Sequence, residues 1–168
     1  MTDPIKTHRN GAILEVTLDR PKANAIDLQT SRRMGEVFAA FRDDPDLRVA
    51  IVTGAGEKFF CPGWDLKAAS DGDAVDGDYG IGGFGGLQEL RGLNKPVIAA
   101  VNGPAVGIGT TLLLHCDLVY SGESAKFQLP FVNLGLVPEF ASSYLLPLRV
   151  GHAKAAEWLL TGKMFDAQ

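Results

Sequence analysis

Two short runs, Val49–Thr53 (VAIVT) and Val97–Val101 (VIAAV), constrain this chain more than any other feature, because each is apolar on every face. Such strands suit a sheet covered on both sides, the habit of parallel sheets with helices packed across them. Gly54-Ala55-Gly56 closes the first run; Pro96 opens the second and Asn102-Gly103-Pro104 closes it. Ala12–Leu18 alternates, with Leu14, Val16 and Leu18 on one face and Glu15 and Thr17 on the other, which predicts a half-buried strand ended by Asp19-Arg20-Pro21. From Leu28 to Arg42, Met34, Val37, Phe38 and Phe41 recur at helical offsets, behind Asp27 as an N-cap. Thr110–His115 reads as a helix opening out of Gly107-Ile108-Gly109, and Leu118–Tyr120 and Lys126–Gln128 as small strands. Ser142–Leu148 reads as helical despite Pro147, and His152–Thr161 as a final helix stopped by Gly162. Strands alternating with helices predict an α/β fold. A length of 168 residues predicts a single domain, residues 1–168.

Composition narrows the function classes. A formal net charge of -4 argues against a nucleic-acid partner, which needs a concentrated basic face. Two cysteines, Cys61 and Cys116, cannot make a disulfide framework, and no Cys/His spacing resembles a metal site. No apolar run approaches the ~18 residues of a membrane span, and the polar start MTDPIKTHRN does not read as a signal peptide. A cytoplasmic protein is expected. The stretch Asp71–Gly86 is rich in glycine and aspartate, and Gly80-Ile81-Gly82-Gly83-Phe84-Gly85 matches G-x-G-x-x-G. A dinucleotide site needs a strand before that motif, whereas an acidic segment precedes it here and would repel a pyrophosphate. The expectation is a mobile surface loop.

Two loops carry glycine beside unusual neighbours: Phe59-Phe60-Cys61-Pro62-Gly63-Trp64-Asp65-Leu66-Lys67, and Asn102 to Thr111 (NGPAVGIGTT). Amides after such glycines can converge on one spot and hold an oxyanion, although on spacing alone two tight turns explain them better. Within them Gly63-Trp64-Asp65-Leu66-Lys67 and Gly107-Ile108-Gly109, together with Asp19-Arg20-Pro21-Lys22-Ala23-Asn24-Ala25 and Lys95 to Gly103 (KPVIAAVNG), resemble the crotonase superfamily of enoyl-CoA hydratases and isomerases in order and interval. Residues 1 to about 103 are most similar to the carnitinyl-CoA dehydratase branch. From Pro104 onward, NGPAVGIGTTLL and LGLVPEFASSY look more like Δ3,Δ2-enoyl-CoA isomerases of the peroxisomal type.

The resemblance implies a fold of repeated ββα units, assembled as a homotrimer or dimer of trimers, and an oxyanion hole of two amides falling on Trp64 and Ile108. Lys22, Ala23, Ala25, Asp65 and Leu66 match segments lining coenzyme A in relatives. No cofactor or metal is implied, coenzyme A being part of the substrate. The two glutamates with which hydratases of this family manage water fall on Thr111 and Phe131, neither of which transfers protons near neutral pH. Hydration and carnitinyl-CoA dehydration are therefore disfavoured. Glu139 matches the lone catalytic glutamate of the isomerases, and Val137 and Phe140 beside it could raise its pKa. A carboxylate at position 111 is expected to approach the substrate from a different part of the site than Glu139.

His115 reads as a packed, satisfied histidine and Cys61 as a small apolar filler. Family members continue past the point corresponding to Gln168 with strands and a C-terminal helical region, so a core lacking that region is expected. Three functions remain: an enoyl-CoA isomerase of fatty-acid metabolism using Glu139, a silent acyl-CoA-binding or assembly subunit, or another crotonase reaction.

Overall fold

In a computed structural model describing residues 3–72 and 77–168, the chain builds a five-stranded sheet and a smaller three-stranded one. The larger sheet sets side by side, in this order, β1 (Ile5–Asn10), β2 (Ile13–Leu18), β3 (Val49–Gly54), β4 (Val97–Val101) and β6 (Leu118–Ser121). Every pairing is parallel except β1 with β2. The smaller sheet joins β5 (Ala105–Val106), β7 (Lys126–Gln128) and β8 (Met164–Asp166). The helices are α1 (Leu28–Asp43), α2 (Leu66–Ser70), α3 (Ile108–Thr111), α4 (Ser142–Val150) and α5 (His152–Thr161). The expected α/β class holds.

The strongest sequence patterns reappear in the structure. Asp27 caps α1, its carboxylate accepting from the Thr30 amide at 2.8 Å, and Met34, Val37, Phe38 and Phe41 are all buried. Gly162 ends α5 in the left-handed conformation, with its amide on the Trp158 carbonyl. On β3 and β4 one face is fully buried (Ala50, Val52, Val97, Ala99, Val101), while the other is only partly covered. The all-round apolarity of the two runs therefore overstates their coverage. The polar sequence IKTHRN hides β1, because it is an edge strand that buries Ile5 alone.

The glycine-rich segment corrects the expectation of a mobile surface loop. Residues 73–76 of that stretch lie outside the described residues, but Gly82, Gly83, Gly85 and Gly86 are buried, Gly82 and Gly86 directly against Gly35 of α1. A Cβ at Gly86 would lie 2.6 Å from the Gly35 amide nitrogen, and one at Gly35 would lie 2.9 Å from that of Gly82. Glycine here permits backbone to touch backbone, and the Gly85 amide donates to the Ser31 hydroxyl at 3.1 Å. The segment thereby carries Phe84 to the space between Trp64 and Phe140, with ring centroids 6.1 and 6.0 Å away.

A second apolar cluster of Leu129, Phe131, Leu146 and Ala155 lies under α4 and α5. Phe131 is 5% exposed and belongs to that core. A carboxylate there would have to be desolvated among aliphatic side chains.

Candidate active site

The two glycine loops run side by side, held by main chain. The Phe60 amide donates to the Pro104 carbonyl at 3.1 Å and the Val106 amide to the Cys61 carbonyl at 2.9 Å. Gly63 has φ 115° and its missing Cβ would meet the Val106 carbonyl oxygen at 3.1 Å, so only glycine fits. Gly107, with φ 55°, faces it, a Cβ there lying 4.0 Å from the Gly63 Cα. Beyond Gly63 the chain pairs with Ile26, which donates to the Gly63 carbonyl and accepts from the Asp65 amide. That alternation turns the intervening Trp64 amide the other way. Ile108 opens α3, where the Gly107 carbonyl already takes the Thr110 and Thr111 amides. No acceptor among the described residues takes the amide of Trp64 or Ile108. Two free amides on adjoining loops are what an oxyanion hole requires.

The turn that matches the coenzyme A segments is organised by Arg20, which sequence reasoning passes over. Its guanidinium holds Asp27 at 2.5 Å, Asp65 at 2.6 Å and the Ala25 carbonyl at 2.9 Å. Buried Asn24 accepts from the Arg20 amide and donates to the Ala55 and Phe59 carbonyls. Lys22 and Asn24 both sit at positive φ, leaving Lys22 exposed and Ala23 and Ala25 partly buried. Leu66 is 72% exposed. Partial burial works against the Asp65 carboxylate, yet Arg20 and the amides of Ala68 and Lys67 hold it below the usual carboxylate range. Its side chain thus caps α2 and ties the Trp64 loop to the Lys22 turn. Charge pairs spread over 45 residues leave no local signal in a sequence.

Glu139 is fixed from both sides. Phe140 (φ 59°) and Ala141 (φ 51°) are consecutive left-handed residues without being glycine, a conformation worth roughly 1–2 kcal/mol of strain per residue. Ser142 holds that turn, its amide and hydroxyl both donating to the Glu139 carbonyl at 3.0 and 2.6 Å. Phe140 is buried, touching His115 edge-on at 4.9 Å, and His115 Nε2 lies 3.0 Å from the Phe140 carbonyl. His115 is thus packed and satisfied, as expected. Cys61 is fully buried, and burial pushes its thiol up to about 12, which suits a filler rather than a nucleophile.

The turn delivers the Glu139 carboxylate to Thr111, whose hydroxyl donates to Oε1 at 2.6 Å. This overturns the expectation that positions 111 and 139 belong to different parts of the site. Thr111 is wholly buried and lies three residues beyond Ile108 on α3, so the partner of Glu139 and the free Ile108 amide share one short element. Burial pushes the Glu139 carboxyl up to about 7, the Thr111 hydrogen bond pulling the other way. A group with that midpoint is half-ionised near neutral pH and can both take and give a proton.

A stability consequence follows from the sign of this shift. The folded protein holds the Glu139 proton more tightly than the unfolded chain, whose pKa is near the ordinary 4.5. The contribution is therefore complete below pH 4.5 and is lost as pH rises through about 7. Between pH 5 and pH 9 the wild type should lose about 2–3 kcal/mol more stability than Glu139→Gln, measured by urea unfolding. Parallel pH profiles for the two proteins would show that Glu139 is not desolvated.

The Trp64 indole packs edge-on to Phe84, and its Nε1 is buried with no acceptor among the described residues. Among the described residues no group of three His, Cys, Asp or Glu gathers as a metal set, and no helix is long and apolar enough to cross a membrane.

Residues 8–168 match the enoyl-CoA hydratase/isomerase family. Carnitinyl-CoA dehydratases of Proteus mirabilis and of Escherichia coli K12 are each 55% identical over 168 residues, covering all of this chain and 64% of the relative. The likeness to that branch thus runs through the whole chain rather than stopping near residue 103. An enoyl-CoA hydratase from Mycobacterium tuberculosis superposes with a TM-score of 0.89 at 37% identity, over 98% of this chain and 64% of that one. An enoyl-CoA hydratase/isomerase from Pseudoalteromonas atlantica gives 0.84 at 36% identity, with the same coverage, 98% and 64%. The chain spans about two-thirds of the length of these relatives.

Proposed function

Because the chain belongs to the enoyl-CoA hydratase/isomerase family, we propose that it shifts the double bond of an enoyl-CoA thioester, with Glu139 moving the proton. The carboxylate removes an α-proton of a 3-enoyl thioester, and the resulting dienolate oxygen accepts from the Trp64 and Ile108 amides. The protonated carboxyl then returns the proton at the γ-carbon, leaving the 2-enoyl thioester. One acid–base group suffices because it is used twice. Lys22, Ala23, Ala25, Asp65 and Leu66 are the residues we assign to the coenzyme A side, with Asp65 acting through its cap and its ion pair. A homotrimer or dimer of trimers in the cytoplasm, acting in fatty-acid metabolism, completes the reading.

The observation that supports it most is the 2.6 Å contact between Thr111 and a Glu139 carboxyl poised near pH 7. A second reading, dehydration of a 3-hydroxyacyl thioester, is favoured by the name carnitinyl-CoA dehydratase that the 55% identical relatives bear. Two facts weigh against it: Thr111 carries no titratable proton, and Phe131 is part of the hydrophobic core. Incubation with 3-enoyl-, 2-enoyl- and 3-hydroxyacyl-CoA, followed by product mass and absorbance, separates the readings. The expected result is 3-enoyl to 2-enoyl conversion with negligible gain or loss of water. Water chemistry at ~10² s⁻¹, a rate within the ordinary range for enzymes, would establish the dehydratase or hydratase reading instead. Thioester binding without turnover of any of the three would establish the silent subunit.

A further inference from the structure

We propose that Thr111 is the positioning residue of this site: its hydroxyl clamps Oε1 of Glu139 and leaves Oε2 as the oxygen that exchanges the proton. The inference rests on the isomerase reading for its catalytic consequence, but the clamp itself follows from geometry alone. Thr111 is wholly buried and its hydroxyl has one proton to give, which goes to Oε1 at 2.6 Å. Its own backbone is fixed, because its amide is bonded to the Gly107 carbonyl at 3.0 Å and a β-branched side chain has few rotamers on a helix. Glu139 arrives on a separate element, held by Ser142 and by the two left-handed residues that follow it. Two separately anchored backbones therefore meet at the Glu139 carboxylate through this one hydrogen bond, beside the His115 contact with the Phe140 carbonyl.

An unclamped glutamate has three rotatable bonds and would spread its carboxylate over several orientations. With Oε1 held, the plane of the carboxylate is set relative to α3, the same element that offers the Ile108 amide. Orientation of this kind separates a catalytic base from a merely nearby carboxylate, since small misplacements are costly in rate. Among the described residues no charged side chain contributes to the ionisation of Glu139; burial raises it and the Thr111 hydrogen bond lowers it. The next residue, Phe140, packs on His115, whose Nε2 is engaged by the Phe140 carbonyl. The hydroxyl thus has two separable effects. It favours the ionised form and it fixes the direction from which that form acts.

The test compares wild type, Thr111→Val and Thr111→Ser in the full protein, with circular dichroism to confirm folding. Glu139 is titrated by carbon-13 NMR after labelling glutamate, and isomerisation of a 3-enoyl-CoA is followed across pH. Valine keeps the shape and removes the donor, so the Glu139 midpoint should rise by roughly one to two pH units, as loss of a hydrogen bond to a charged acceptor predicts. At a pH above both midpoints, where ionisation is equal, kcat should still be down about 10-fold with KM changed less than two-fold. Serine keeps the donor and should restore both quantities. An unshifted midpoint in Thr111→Val would overturn the clamp, and so would a midpoint shift with kcat fully recovered at high pH, which would leave Thr111 a pKa effect only. If valine prevents folding, serine decides: it must retain the wild-type midpoint and kcat, and failure on either count overturns the proposal. The NMR midpoint does not depend on turnover, so an inactive wild type with a Thr111-dependent midpoint would sink the isomerase reading and leave the clamp standing.

Discussion

Glu139→Gln is expected to reduce isomerisation of a 3-enoyl-CoA by roughly 10²-fold or more while leaving thioester affinity unchanged, as measured by product absorbance and by calorimetry. The amide is close to isosteric with the protonated carboxyl and can still accept from the Thr111 hydroxyl, which lies 2.6 Å from Oε1. The turn behind it is held through the Glu139 carbonyl, which the substitution does not touch. What glutamine removes is the exchangeable proton. In the wild type, activity should rise with pH through about 7, because the ionised form starts the reaction. Retained activity together with retained binding would demote Glu139 to a loop carboxylate and require another base. Since Thr111 and Glu139 meet, adding Thr111→Glu to the Glu139→Gln variant would place a carboxylate in the same part of the site. Partial recovery is the expected outcome of that double variant.

Gly109→Ala is expected to be nearly as damaging by a different route. A Cβ at that position would lie 2.1 Å from the Cys61 carbonyl oxygen and 2.9 Å from its carbonyl carbon, both of them backbone atoms. Nothing flexible stands there to move aside, so α3 must retreat from the first glycine loop. Overpacking of this kind costs typically 1–3 kcal/mol, and contact this close places it at the upper end. The Ile108 amide moves with α3, and a shift near 1 Å is enough to lose about 10²-fold in rate. Gly122→Ala is the control, since its Cβ would stay 3.8 Å from the nearest atom, the Val101 carbonyl oxygen. Thermal denaturation and isomerase assays on both variants check the prediction. Equal behaviour would mean that α3 and the first glycine loop do not touch at Cys61.

What can be read from the sequence divides along the range of the interactions concerned. α1, with its four buried apolar residues and the Asp27 cap, is a local pattern and is legible to within a residue of its ends. The same is true of β3, β4 and α5, whose periodicity or turn signals are self-contained. The strands β1, β5 and β8 escape because an edge position or a two-residue length leaves no alternation to find. The glycine-rich segment misleads because glycine marks both freedom and close approach, and only the partner backbone at Gly35 tells which. At the site, Trp64, Ile108 and Glu139 are visible as motif positions. Arg20 as the link between Asp27 and Asp65, and Thr111 as the partner of Glu139, are not. The second pair is 28 residues apart and depends on a left-handed turn at Phe140-Ala141 that no propensity favours.

The main-chain stitching of the two glycine loops carries an evolutionary consequence. The hydrogen bonds from Phe60 to Pro104 and from Val106 to Cys61 join peptide groups, and the Trp64 and Ile108 amides they position are peptide groups too. The hold these amides take on a substrate oxygen would therefore be nearly blind to which side chains surround it. On the proposed reading, reaction type is written separately, in side chains such as those of Thr111 and Glu139 that meet beside the platform. Such side chains can be exchanged while a platform built of peptide groups survives intact.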